Sequence, residues 1–312
     1  MDKNIVTIGG GTGLSVLLEG LKKHFTNISA IVTVADDGGS SGRLREELGM
    51  LAPGDIRNCL CALSDSEQKK IMNYRFTEGE LKGHPLGNIY IAALNAMSDN
   101  FFEAVEMMNR LMKTNGEVIP VTNDNINLCA YLSNGDIIWG ESSIGKRIGK
   151  ERIDHIELRP KHAKAVDAAI KKLIDADVII FGPGSLYTSI IPNLLVDGIV
   201  EALRNCSAKK IYVCNIMTQP GETLGYDVYD HLTAIEKHSY EGIMDYIIAN
   251  DARINGEILK RYEIEGATCV KTNKERFAGV KTNLILGELL SDNPKFLRHN
   301  VDNLIEIIKK II

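Results

Sequence analysis

No apolar run in this chain approaches the roughly 18 residues that a membrane span needs. The start, Met1-Asp2-Lys3-Asn4, meets a glycine cluster after four further residues, so neither a signal peptide nor an anchor is expected. Basic residues do not predominate. The 36 Lys and Arg against 41 Asp and Glu leave a formal charge of −5 and a pI near 5.9, which offers a polyanion such as DNA no general attraction. Nucleic acid is not an expected partner, whereas an anionic small molecule can still be held by local loops. Cysteine is sparse and unpatterned: Cys59, Cys61, Cys129, Cys206, Cys214 and Cys269 include one C-x-C pair and no C-x-x-C. A chain this long needs no disulfide staples, so these read as small core side chains in a reducing cytoplasm, and no metal site is assigned to them. Ser/Pro linkers, internal repeats and low-complexity tracts are also missing.

What is present is the composition of a soluble globular protein, 44% hydrophobic and 25% charged over 312 residues. Residues 5–8 form a buried β-type run, 9–13 a glycine turn, and 14–21 a helical pattern with apolar Leu14, Leu17, Leu18 and Leu21. A second strand follows over 28–34, and two strands joined by a helix make a right-handed βαβ unit with parallel strands. From residue 43 to about 112 the pattern is mostly helical, with Asp55 placed to cap a helix over 56–63. Short strands over 118–121, 128–132 and 137–139 read as a β-appendage. Its last two strands are joined across Asn134-Gly135, and its edge carries the single tryptophan, Trp139. The α/β rhythm returns with a helix over 161–175, strand 178–181, helix 194–203, strand 210–215, helix 228–237 and strand 246–249. An amphipathic helix over 301–312 follows. The expected fold is α/β, one large Rossmann-like domain over 1–312 with a doubly wound, mainly parallel sheet. An inserted helical layer and a small β-hairpin appendage occupy about 43–160.

In an open parallel sheet, ligands bind beyond the carboxyl ends of the strands, where the strand order reverses. The unusual turns fall there. Gly10, Gly11, Thr12 and Gly13 open a helix, so their N–H groups can converge on a phosphate or carboxylate, aided by the helix dipole. Neither G-x-G-x-x-G nor Gly-Lys-Ser/Thr is present, and a tight turn without ligand stays open. Asp36 and Asp37 end the second strand. Adjacent carboxylates can hold a divalent cation, accept ligand hydroxyls or act as a base, so these two are the catalytic candidates and Mg²⁺ the candidate cofactor. Gly39, Ser40 and Ser41 can form an anion nest, and Arg43 and Arg45 can neutralise a phosphate. The same stretch is also ordinary turn sequence, in which Asp36 simply caps the next helix. Gly182, Gly184 and Ser185 present amides and a hydroxyl, or else a rigid crossover turn. Asp55 with Asn58, His84 with Asn88, and Asn215 with Thr218 complete the ligand-facing set. For His84 a structural hydrogen bond is equally open.

Taken together, residues 8–20, 33–44, 53–60, 84–88 and 182–194 resemble the YvcK-type gluconeogenesis factors within the wider CofD-like family. These five motifs occur in family order and cover most of residues 5–251. Ala52-Pro53-Gly54-Asp55 stands where members often show Pro-Pro-Gly-Asp, and Arg298-His299-Asn300-Val301 where they show Arg-His-Asp-Thr. Val301 has no hydroxyl, so regulation by threonine phosphorylation there does not carry over. The resemblance implies a Rossmann-like fold, a cytoplasmic location and a nucleotide-sugar ligand of the UDP-N-acetylglucosamine type. It further implies a role in gluconeogenic growth, cell shape and envelope metabolism, with an unidentified protein partner in envelope or carbon regulation; a homodimer is left open. Family ligand positions match Gly11 to Gly13, Asp36-Asp37, Asn215, Tyr262 and Arg298, with tail packing the alternative for the last two. CofD itself is similar in fold but transfers a phospholactyl or phosphoenolpyruvyl group from a nucleotide diphosphate to a deazaflavin. A Mg²⁺-dependent transferase using Asp36 or Asp37 is therefore the alternative to the binding and regulatory protein that the fuller motif match favours.

Overall fold

The computed structural model of the chain describes residues 3–291 and 297–312. Strand β1 (Ile5–Gly9) is followed by β2 (Ile28–Val32) and, after five helices, by β3 (Glu117–Pro120). A small antiparallel sheet then forms from β4 (Asn127–Leu132), β5 (Ile137–Trp139) and β6 (Ile153–Arg159). The chain returns with β7 (Val178–Phe181), β8 (Lys209–Val213), β9 (Tyr246–Asn250) and β10 (Asn283–Gly287). The main sheet has the order β10-β9-β8-β7-β1-β2-β3, and every neighbouring pair is parallel. The fold is thus α/β and Rossmann-like, and the direction of strand addition reverses between β1 and β7.

The local reasons are plain. β1, β2 and β7 are buried at every position because helices cover both faces of the sheet, so they read as continuous apolar runs. Their register pairs Gly9 with Val32 and Ile8 with Phe181, which brings the carboxyl ends of the three strands level. The turns that leave them therefore open on one edge. Helix Gly11–Leu21 buries Leu14, Leu17, Leu18 and Leu21 in the core. Its Gly20 receives the last helix, Val301–Ile311, so closely that a Cβ would stand 2.7 Å from Ile305 Cδ1. No helix among the described residues is long and apolar enough to cross a membrane. All six cysteines are free thiols, and only Cys269 is less than fully buried.

Several sequence expectations need correction. Strand β3 belongs to the main sheet, where it pairs with β2, and the third strand of the appendage is β6. Four of the seven residues of β6 are charged or histidine, which hides the inward set Ile153, Ile156 and Leu158. The helix expected over 161–175 is only Asp167–Ile174. Ahead of it, Lys164, Ala165 and Val166 donate their N–H groups to Asp124, Asp197 and Val121 rather than to a preceding turn. The helix expected over 194–203 is divided into Ile191–Leu194 and Ile199–Asn205, because Gly198 between them takes a left-handed conformation, φ +95. Asp55 does not cap its helix from outside. Helix Gly54–Leu63 starts before it, leaving Asp55 in the first turn with its carboxylate turned toward the first glycine turn.

Candidate functional site

The carboxyl ends of β1, β7 and β8 open on a cleft of about 550 Å³. Gly10, Gly11, Thr12, Gly13, Gly184, Ser185, Asn215, Thr218, Tyr262 and Arg298, all expected from the sequence, meet there. Gly10 has no side chain with which to cap helix Gly11–Leu21. Of that first turn, the Gly11 N–H is accepted by the carboxylate of Asp55. Gly11 sits at φ +70, where a side chain is strained, and Gly13 lies so near Pro183 that a Cβ would stand 2.5 Å from its carbonyl oxygen. The two turns therefore form one wall.

Side chains from the loop after β8 hold that wall in place. Asn215 Nδ2 donates to Gly184 O at 2.8 Å, and Gln219 Nε2 to Ser185 Oγ at 2.6 Å. Fully buried Glu222 accepts from Tyr187 N at 2.9 Å and Thr188 Oγ1 at 3.1 Å. Burial pushes its carboxyl above the usual range, and these donors pull it back. Thr218 exchanges hydrogen bonds with Thr268, steadying a small apolar group of Ile216, Met217 and Ala267 against which Tyr262 and Leu297 pack. Tyr262 OH accepts from Leu297 N at 3.0 Å. His299 also lines the cleft; its Nε2–H donates to Cys214 O at 3.1 Å, and burial lowers its pKa to about 4. The ring is therefore neutral, with an unprotonated Nδ1.

The remaining expected residues lie behind the glycine turn rather than in the cleft. Asp36 Oδ1 accepts from Gly38 N at 2.9 Å, and its Oδ2 faces Gly54, 2.9 Å from where a Cβ would be. Asp37 is committed elsewhere: its two oxygens accept from Glu141 N at 2.9 Å and Ser142 N at 2.8 Å, anchoring helix Glu141–Gly145. Ser40 bonds His84 Nδ1 at 2.8 Å and receives Asn88 Nδ2 at 3.0 Å, while Ser41 is buried against Gly54. Asn58 accepts from Arg57, and Gly39 is exposed at φ +50. Gly182, at φ +75, shapes the second turn against Val213 O and Ile190. Arg43 donates to Lys82 O. Arg45 donates to Ala35 O, Asp36 O, Asn125, Ile126 O and Asn127, so it fastens the turn and is not available to neutralise a phosphate.

The sequence reading missed Glu141, which follows β5 and comes near Asp36 and Asp55. Burial, then Asp36, Glu222, Asp37 and Asp55, push its carboxyl up to about 8. Burial and Asp36 likewise push Asp55 up to about 7. Asp55 and Glu141 thus retain protons near neutrality, a condition suited to exchanging a proton. Among the described residues no group of three or more His, Cys, Asp or Glu is arranged to hold a metal ion. Asp55 stands against the glycine turn at Gly10, and Asp36 faces Gly54 at the start of the helix that carries Asp55.

The profile of the family described as 2-phospho-L-lactate transferase CofD matches residues 5–290. A protein of Thermoanaerobacterium thermosulfurigenes is 49% identical over 99% of this chain and 96% of its own length. The gluconeogenesis factor of Bacillus subtilis is 42% identical over 99% of this chain and 98% of its own. A crystal structure of a UPF0052-family protein from Bacillus halodurans superposes with a TM-score of 0.94 at 42% identity, covering 98% of this chain and 99% of that one. With the family profile spanning most of the chain and full-length relatives at this identity, the chain belongs to the CofD family, in the branch of the gluconeogenesis factors.

Proposed function

We propose that this chain is a cytoplasmic, nucleotide-sugar-binding regulatory protein that supports gluconeogenic growth and, through a protein partner, cell shape and envelope metabolism. The observation that carries the reading is the wall made by residues 10–13 and 183–185, which brings the start of helix Gly11–Leu21, with N–H groups beyond the one that Asp55 accepts, to a cleft of about 550 Å³ at the reversal of strand order. That volume lies in the range of small-molecule sites, and helix N-termini favour phosphate. In this reading a diphosphate lies over Gly11 to Gly13 and the sugar extends past the glycine turn toward Asp36, Asp55 and Glu141, which stand outside the cleft lining. The flat base is left beside Tyr262, Met217 and Leu297. Mg²⁺, which would shield the diphosphate charge, has Asp36 and Asp55 as its protein ligands in this reading. Calorimetry with UDP-N-acetylglucosamine, with and without Mg²⁺, tests it. Ligand at about 100 times Kd should stabilise the fold by roughly 2.7 kcal/mol, and a flat response across uridine, guanosine and adenosine sugars overturns the reading.

One observation favours a second reading, a CofD-like transferase acting on an acceptor hydroxyl. Asp55, pushed up to about 7, has the basicity of a general base at neutral pH. Nucleotide release that requires an acceptor and is lost in Asp55→Asn selects the transferase; ligand binding without turnover selects the regulator.

A further inference from the structure

We propose that His299 reads the base of the bound nucleotide, taking a ring N–H of the uracil type as donor. The inference rests on the nucleotide reading above and deepens it at one atom. A backbone carbonyl can only accept, so the 3.1 Å contact with Cys214 O fixes the proton on Nε2. Nδ1 is then an acceptor, it has no partner among the described residues, and the ring lines the cleft. Cys214 itself is fully buried directly after β8, so the anchor is rigid.

The position in the cleft selects the base rather than the sugar. The carboxylates behind Gly10 and Gly11 accept hydrogen bonds and suit a hydroxyl-rich group. The side that holds His299 carries the apolar group of Ile216, Met217 and Ala267 with Tyr262 and Leu297, rimmed by Glu265 and Arg298, and suits the faces of a flat heterocycle. On that wall, where Glu265 and Arg298 also line the cleft, His299 Nδ1 is a neutral acceptor that is satisfied by a ring N–H. Uracil offers an N3–H there, whereas cytosine offers a bare nitrogen that leaves two acceptors facing each other.

The test is calorimetry of the full chain with UDP, CDP and 3-methyluridine diphosphate, the last lacking the N3–H. The wild-type protein is expected to prefer UDP over each of the others by about tenfold or more. In His299→Ala that preference should fall to about twofold, and His299→Gln, whose amide can both donate to Cys214 O and accept from the base, should recover part of it. Circular dichroism establishes that each variant is folded. In the ¹⁵N spectrum of the wild-type protein, UDP should move the Nδ1 resonance of His299 and leave Nε2 nearly unchanged. Equal binding of UDP and CDP by the wild-type protein, or an undiminished preference in His299→Ala, overturns the role of His299 while the nucleotide reading stands. No binding of any uridine nucleotide overturns both.

Discussion

The carboxylate of Asp55 stands against the backbone of Gly10, so close that a Cβ on Gly10 would lie 3.4 Å from Asp55 Cγ and collide with its Oδ2. The same carboxylate accepts the Gly11 N–H. One acidic side chain, carried on helix Gly54–Leu63, thus supports the turn that begins helix Gly11–Leu21. The absence of a side chain at Gly10 is what admits it.

Gly10→Ala should consequently destabilise the fold by about 1–3 kcal/mol, the usual cost of overpacking. Asp55→Ala removes the colliding oxygen, so the double variant should lose less stability than the two single changes added together, by about 0.5–3 kcal/mol. Urea midpoints of the four proteins measure the difference. Strict additivity would show that Gly10 and Asp55 do not touch.

The two inner glycines of the turn should fail in different ways. At Gly11 the obstacle is φ +70, with no atom nearer a new Cβ than Ser189 Oγ at 3.7 Å. Gly11→Ala should cost about 1–2 kcal/mol of stability and leave a folded, binding protein. At Gly13 the obstacle is the Pro183 carbonyl at 2.5 Å, so Gly13→Ala must push the second turn away. Its ligand affinity should drop by about tenfold or more even where the protein is folded, as thermal shift and calorimetry will show.

Asp55 and Glu141 also predict a pH dependence. Unfolded carboxyls titrate near about 4, whereas in the fold these two hold protons up to about 7 and about 8. The folded state binds more protons across that interval, so their contribution is fully present below the ordinary value and is lost as pH rises to about 8. His299 and His238, lowered to about 4, act in the opposite sense as pH falls below about 6.5. The acidic pair is therefore read cleanly between about pH 6.5 and pH 8.5, where the urea midpoint should fall. Glu141→Gln should flatten that slope; an unchanged slope would place the proton elsewhere.

Asp37 and Asp36 should separate by phenotype. Asp37→Ala removes both acceptors from Glu141 N and Ser142 N and should cost about 0.5–2 kcal/mol of stability. Its effect on ligand affinity should stay within about twofold. Asp36→Asn should do the reverse, weakening ligand binding or turnover with a smaller effect on the melting temperature.

These neighbours show what could be seen in the sequence and what could not. The glycine turns and the paired aspartates at strand ends were legible, because glycine clusters and adjacent acids directly after apolar strands are uncommon local chemistry. The division of labour between Asp36 and Asp37 was not. It depends on Glu141, which lies 104 residues from Asp37 and comes near only because the β4–β5 hairpin turns it back. Glu222 and His299 were hidden for the same reason, since a buried carboxylate on Tyr187 N and a histidine on Cys214 O are tertiary facts. Arg45 was misread as a phosphate ligand because an arginine beside a glycine nest looks the same whether it faces solvent or, as here, three backbone carbonyls.

The packing of the last helix on Gly20 has a consequence for how the chain is made. The cleft is lined from Gly10 to Leu304, so its first wall leaves the ribosome long before its last. Until residues 297–304 are released and Val301 and Ile305 settle on Gly20, a nascent chain has the glycine turn but no closed cleft. A ligand that binds only the folded form can then stabilise a chain in which residues 297–304 have joined the cleft and not a shorter one. Occupancy of the cleft thus reports that both ends of its lining, Gly10 and Leu304, are in place.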